Sequence, residues 1–437
     1  MKREDIVRLD KQYIWHPYTC MYHYLEEGDP LVIKRAHGIW LEDVNGQRYI
    51  DGTSSWWMAA LGHSHPRLLK VLETQSSKLA HCPLGGVTHE PAAALAADLI
   101  HVAPQGLTRV FYTDNGSTAI EAAVKMAIQM WRYEGAPQKT RFVSLSSAFH
   151  GETLGATSLG GCELFRKPFA NVLFECLYTP PPDEHNYAQA FDVLEQLIQR
   201  EASTLAAVVV EPIVQGAAGM RIYSPSYLQA LRTLCDRFNV LLIADEVFTG
   251  YGRTGPMWAC EHASICPDIM CIGKPLAGLL PMGATLANHR VFRAFSQENG
   301  ETLYYGHTFC GHPLGAALAR EVLAIFRDEK ILEQIKQKET LIATSMQRLQ
   351  SQKGVKQTRS IGMIGAADLE STLEQEEKGY LSPLGKSVHR EALQRGVYLR
   401  PLGSTVFICP PLIISTSELT TLLTIFEDSI ASTIASL

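Results

Sequence analysis

Apolar residues along this chain recur in two rhythms. Short continuous runs appear at "RVFYT" (109–113), "RFVSL" (141–145), "AAVVVEPIV" (206–214), "VLLIADE" (240–246) and "DIMCIGK" (268–274). Between them the spacing changes to that of a helix, as at Ile120, Ala123, Val124, Ala127, Ile128 and Trp131, and again across 224–238. Strands alternating with amphipathic helices predict an α/β fold, a mostly parallel sheet covered by helices on both faces. The stretch 31–51 alternates differently and reads as a β-hairpin turning at Asn45-Gly46. Beyond about residue 330 come a charged helix (329–350), expected to present a solvated face, a few short strands and a closing helix. The polar stretch 370–383 is expected to be an exposed loop. The organisation that follows is a large domain over 61–329 and a smaller α+β domain assembled from both chain ends, 1–60 and 330–437.

Composition narrows the function classes. The 437 residues are 46% hydrophobic and 19% charged with a net charge of −6, so no basic excess exists to neutralise the phosphates of a nucleic acid. No apolar run reaches the roughly 18 residues of a membrane span. The opening "MKREDIVRLDKQYIW" has acids and no apolar segment, which points to the cytoplasm. Ten cysteines lack paired spacing and read as reduced thiols. Cys260, Cys266 and Cys271 have no matching histidine pattern, and His63 and His65 of "GHSHP" have no third ligand nearby, so no metal site is expected.

The chemistry gathers where strands end, the place ligands occupy in open parallel sheets. In "TDNGSTA" (113–119) Gly116 permits a tight turn, and Ser117 stands beside free helix N–H groups, an arrangement suited to phosphate or to a plain helix cap. Asp245 closes an apolar strand, where a carboxylate needs a cation or donors, and a salt bridge to Arg253 would serve as well as a ligand. Glu246 must then point the other way. Lys274 closes the next apolar run. Desolvation lowers a lysine's pKa, and a neutral amine attacks carbonyls. Phe149 of "FHG" offers a face for stacking. One ligand meets all four features, pyridoxal 5'-phosphate, gripped at its aldehyde by an amine and at its ring nitrogen by an acid.

At these residues the chain resembles the class III (ω-amino acid) aminotransferases of pyridoxal-phosphate fold type I. "TDNGSTAIEAAVKMA", "FHGET", "EPIVQGAAGM", "IADEVFTGYGRTG" and "CIGK" stand in the family's order, and the likeness covers most of 30–420. The resemblance implies that Lys274 is the catalytic lysine and Asp245 the ring-nitrogen partner. It assigns the phosphate to Gly116 and Ser117, joined by His307 and Thr308 of "YGHTF" across a homodimer interface, and the ring face to Phe149. Tyr18, Trp56, Phe149 and Gly306 match substrate-contact positions, and Arg400 matches the arginine that clamps a substrate carboxylate. Glu211 is expected to pair with Arg400 when no carboxylate is bound.

Three further stretches, "WHPYT" (15–19), "SSWWMAALGHSHP" (54–66) and "LRPLG" (399–403), narrow the implied reaction. It is ping-pong amino transfer, with adenosylmethionine as donor, to 8-amino-7-oxononanoate in biotin biosynthesis. Transfer from β-alanine, 4-aminobutyrate, ornithine or lysine is the alternative. The donor stays open because the chain departs from the family pattern. Phe149 stands where tyrosine is expected, Glu152 where aspartate is, and His307 where proline is common. "KPLAGLLP" replaces a glycine-rich turn, so Pro275 and Leu279 stiffen it.

Overall fold

A computed structural model describes residues 1–26, 28–183, 186–370 and 382–436. Its first strands are β1 (Ile33–His37), β2 (Trp40–Asp43) and β3 (Arg48–Asp51). They form an antiparallel meander, not the single expected hairpin. Gly46 turns the predicted corner with φ +89°, and Gly38, with φ +56°, adds a second one inside what reads as one extended run.

The central sheet contains β4 (Leu107–Thr113), β5 (Arg141–Leu145), β6 (Cys176–Thr179) and β7 (Leu205–Val210). After a small ribbon of β8 (Val214–Gln215) and β9 (Arg221–Ile222) it continues with β10 (Leu241–Asp245), β11 (Ile269–Ile272) and β12 (Gly283–Asn288). The strand order is β4-β12-β11-β10-β7-β5-β6. Only β12 runs against its neighbours, so the sheet is mostly parallel, as the alternation of elements predicts. All six residues of β7 and all five of β10 are buried, the pattern of strands covered on both faces. The register sets Asp245 beside Cys271. Lys274, three residues on, therefore emerges at the same carboxyl edge.

Three more strands follow, β13 (Val355–Ile361), β14 (Ile364–Leu369) and, beyond the short β15 (Val397–Tyr398), β16 (Thr405–Ile408). β13, β14 and β16 make an antiparallel sheet of their own. β15 instead joins the N-terminal meander, lying parallel to β3 with Val397 opposite Ile50. That pairing brings Arg400 close to residues 54–57. The charged helix, Ile331–Gln350, is not merely solvated. Ile331, Ile335, Ile342, Met346 and Leu349 form a buried stripe along it. Lys338 is buried on the same stripe, its amine donating to Leu412 O at 2.6 Å. Helical spacing of apolar residues outweighs the charge between them. Of the loop expected over 370–383, residues 371–381 lie outside the described residues.

Candidate active site

Two cavities meet beyond the carboxyl edge of the central sheet. The inner one, about 450 Å³, is lined by Gly116, Ser117, Phe149, Asp245 and Lys274 among others. The outer one, about 220 Å³, is lined by Tyr18, Trp56, Phe165 and Arg400, and it shares Trp57, Phe149 and Lys274 with the first.

One wall of the inner cavity is the start of the helix Gly116–Tyr133. Asn115 caps it, its side chain accepting from Thr118 N at 3.1 Å. The Gly116 and Ser117 N–H groups are left with no acceptor inside the helix. A Cβ on Gly116 would lie 2.6 Å from Val247 Cγ1. One on Gly151, where φ is +124°, would strike the Ser117 hydroxyl. The backbone is thus packed too closely for a side chain at either glycine, and it leaves the Gly116 and Ser117 N–H groups at the cavity wall, an arrangement suited to an anion.

Opposite stands Asp245, buried, with Oδ2 2.8 Å from His150 Nδ1 and Oδ1 accepting from Val247 N at 3.1 Å. His150 lies 3.3 Å from Ser144 Oγ through its other nitrogen. The salt bridge weighed for Asp245 does not form. Arg253 turns to the C-terminal segment, donating to Pro410 O at 2.8 Å. Glu246 does point away, accepting from Thr249 Oγ1 and from the N–H groups of Ala259 and Cys260. His150 is the residue that sequence reasoning overlooked. Its only signal was the position of "FHG" just past β5.

Lys274 follows β11 with a positive φ of 42°, entering the short turn Lys274–Ala277. Burial pushes its amine below the usual lysine range, against the pull of the Asp245 and Glu211 carboxylates. The amine lies 5.2 Å from the centre of the Trp57 ring.

The expected pairing of Glu211 with Arg400 is absent. Glu211 accepts from Phe149 N at 3.0 Å and from Gly216 N at 2.8 Å, because backbone donors meet it first at the end of β7. Burial pushes its carboxyl up to about 7, with Asp245 adding to the shift while His150 and the two backbone donors oppose it. The folded chain therefore holds a proton that the unfolded chain releases near 4.5. The stability this group contributes is full below about pH 4.5 and is lost as pH rises through about 7. Replacing Glu211 with glutamine should flatten that part of the denaturant-measured stability profile of the apoprotein by up to about 3 kcal/mol.

In the outer cavity the Arg400 guanidinium sits 3.8 Å above the centre of the Trp56 ring. The Tyr18 hydroxyl donates to Glu152, and the rings of Tyr18, Phe165 and Phe149 form a continuous aromatic wall. Trp56 belongs to a run, Ser54 to Trp57, in which every residue has positive φ. Such a conformation costs an L-residue roughly 1–2 kcal/mol.

Gly306, His307 and Thr308 line neither cavity of the chain. His307 Nδ1 instead lies 2.7 Å from Asp114 Oδ2, and the His307 backbone N–H donates to Cys310 Sγ at 3.1 Å. The donor atoms of Asp114, His307 and Cys310 lie within 4.8 Å of one another, close enough to hold a metal ion. Sequence spacing gave no hint of this group, since 193 positions separate its histidine from its aspartate.

An anion cradle, a fixed carboxylate and a desolvated amine around one cavity fit pyridoxal phosphate. Residues 24–430 match the class-III aminotransferase family, and the chain belongs to it, a pyridoxal-phosphate enzyme of fold type I. The adenosylmethionine-8-amino-7-oxononanoate aminotransferase of Geobacter sulfurreducens is 41% identical over 96% of each chain. That of Aquifex aeolicus is 37% identical over 95% of each. The crystal structure of the Methanocaldococcus jannaschii enzyme of the same name superposes with a TM-score of 0.93, at 34% identity over 99% of both chains. An ω-transaminase from Pseudomonas jessenii in complex with PMP reaches 0.92 at 31% identity, over 99% of this chain and 98% of that one.

Proposed function

We propose that this enzyme transfers an amino group from S-adenosylmethionine to 8-amino-7-oxononanoate, giving 7,8-diaminononanoate for biotin biosynthesis, and that it works as a cytoplasmic homodimer. One observation carries the reading. The two cavities join at Lys274, with the acid and the anion cradle on the inner side and an arginine on an aromatic wall on the outer side.

Each group has work to do in that reaction. Pyridoxal phosphate, when bound, supplies an electron-withdrawing ring that stabilises negative charge at a substrate carbon. The Gly116 and Ser117 N–H groups and the Ser117 hydroxyl would hold its phosphate, and Phe149 would cover its ring. Asp245, steadied by His150 and Val247 N, would meet the ring nitrogen and favour its protonated form. Lys274 would attach to the aldehyde. Its Nζ, at the junction of the two cavities, would also carry a proton to and from the reacting carbon. Arg400 would take the acceptor's carboxylate, while Trp56, Tyr18 and Phe165 line its methylene chain and exclude water.

Free thiols at all ten cysteines suit a reducing compartment. A second copy would cover apolar surface that this chain leaves exposed, the rings of Trp15, Tyr22, Tyr304 and Phe309 among it. His307 and Thr308 would then reach the partner's cradle.

The deciding experiment incubates the holoenzyme with 8-amino-7-oxononanoate and one donor at a time, measuring diaminononanoate by mass spectrometry. Product with S-adenosylmethionine supports the proposal. Turnover only with β-alanine, 4-aminobutyrate, ornithine or lysine would favour the ω-transaminase reading that the Pseudomonas jessenii likeness suggests. For Arg400→Ala, loss of a charge-assisted bond should raise KM for the acceptor about 10- to 100-fold while kcat changes little.

A further inference from the structure

The left-handed run beneath Arg400 is held by a buried acid that the reaction does not use. Ser54, Ser55, Trp56 and Trp57 have φ values of 49°, 44°, 66° and 72°, with no glycine among them. Single residues visit this region, but successive ones persist only where the surroundings over-determine them.

Here two sets of bonds do so. On one side Ser54 Oγ donates to Cys409 O at 2.6 Å and accepts from Arg253 Nη2 at 3.3 Å. On the other is Asp51, fully buried at the end of β3. Its Oδ2 accepts from Ser55 Oγ at 2.7 Å and lies 2.9 Å from His63 Nε2, while its Oδ1 accepts from Thr53 N at 3.2 Å. His63 is itself fixed through its backbone, exchanging hydrogen bonds of 2.9 and 2.7 Å with Gly38. The first histidine of "GHSHP", which no ligand claims, thus buttresses the acid that ties the turn. The turn in its left-handed form sets Trp56 under Arg400 and Trp57 against the Lys274 amine.

We propose that Asp51 and His63 are positioning residues for acceptor recognition. By locking the Ser54–Trp57 turn they seat Trp56 beneath the Arg400 guanidinium and so aim it at the acceptor's carboxylate. The inference rests on the proposed role of Arg400.

The test measures KM and kcat of the holoenzyme for two acceptors, 8-amino-7-oxononanoate and an uncharged aliphatic ketone of similar length. His63→Gln should raise KM about tenfold for the carboxylate-bearing acceptor, kcat and the uncharged acceptor's constants staying within about twofold. In an Arg400→Ala background the same change should add nothing, since both act through one contact. Equal damage to both acceptors, or full additivity with Arg400→Ala, would show a merely structural role and overturn the inference. An unchanged KM in His63→Gln, with Arg400→Ala impaired, would overturn it too. An unchanged KM in Arg400→Ala would instead remove the role assigned to that arginine. Should His63→Gln fold poorly, Ser55→Ala removes one bond to Asp51 and carries the same expectation at about threefold.

Discussion

Replacing Lys274 with alanine will abolish amino transfer, lowering kcat by about 10⁴-fold. Among the described residues the amine is the only one lining either cavity, and in the proposed reaction it would serve both as attachment point and as proton carrier. Burial already costs it hydration, so removing it will not unfold the protein, and circular dichroism should match the parent. Borohydride reduction of the loaded protein followed by peptide mapping supplies the second readout. The parent should yield a pyridoxyl group on the peptide containing Lys274, and the variant none. A label recovered elsewhere would overturn the assignment.

The second large effect is expected at Asp245. Asparagine there keeps the shape and can still meet His150 Nδ1 and Val247 N, but it withdraws the fixed negative charge. Losing one preorganised electrostatic partner in a water-poor site typically costs ~10²–10³ in kcat. Asp245→Asn should show that loss and should release its cofactor faster on dialysis, followed by the visible absorbance of the protein. His150→Asn should show a weaker form of the same defect, because the carboxylate survives with one tie fewer. Activity close to the parent's in Asp245→Asn would rule out the charge as the working element.

Where the candidate site lies was largely legible from sequence, because a polar residue terminating an apolar run is physically expensive and stands out. Asp245 and Lys274 announced themselves that way, and the parallel sheet that aligns them followed from the alternation of elements. Arg400, Tyr18 and Trp56 carried no such signal. Each would pass for an ordinary surface or core residue, and only family likeness picked them out. The His150–Asp245 contact spans 95 positions and the Asp114–His307 contact 193, distances over which no periodicity operates. The Glu211–Arg400 pairing failed because two backbone donors lie nearer to the acid. The left-handed run at 54–57 could not be foreseen either. Serine and tryptophan have no preference for it, and the bonds that impose it come from Asp51 on one side and Cys409 on the other.

The parallel pairing of β3 with β15 has a bearing on how the enzyme comes into being. Gly116, Ser117, Phe149, Asp245 and Lys274, which line the inner cavity, are all translated by residue 274, yet the strand that delivers Arg400 and the carbonyl that anchors Ser54 lie beyond residue 396. A nascent polypeptide therefore carries the inner cavity's residues well before it has the arginine proposed to take the acceptor's carboxylate. That arginine arrives last, when the tail of the chain threads back alongside its beginning.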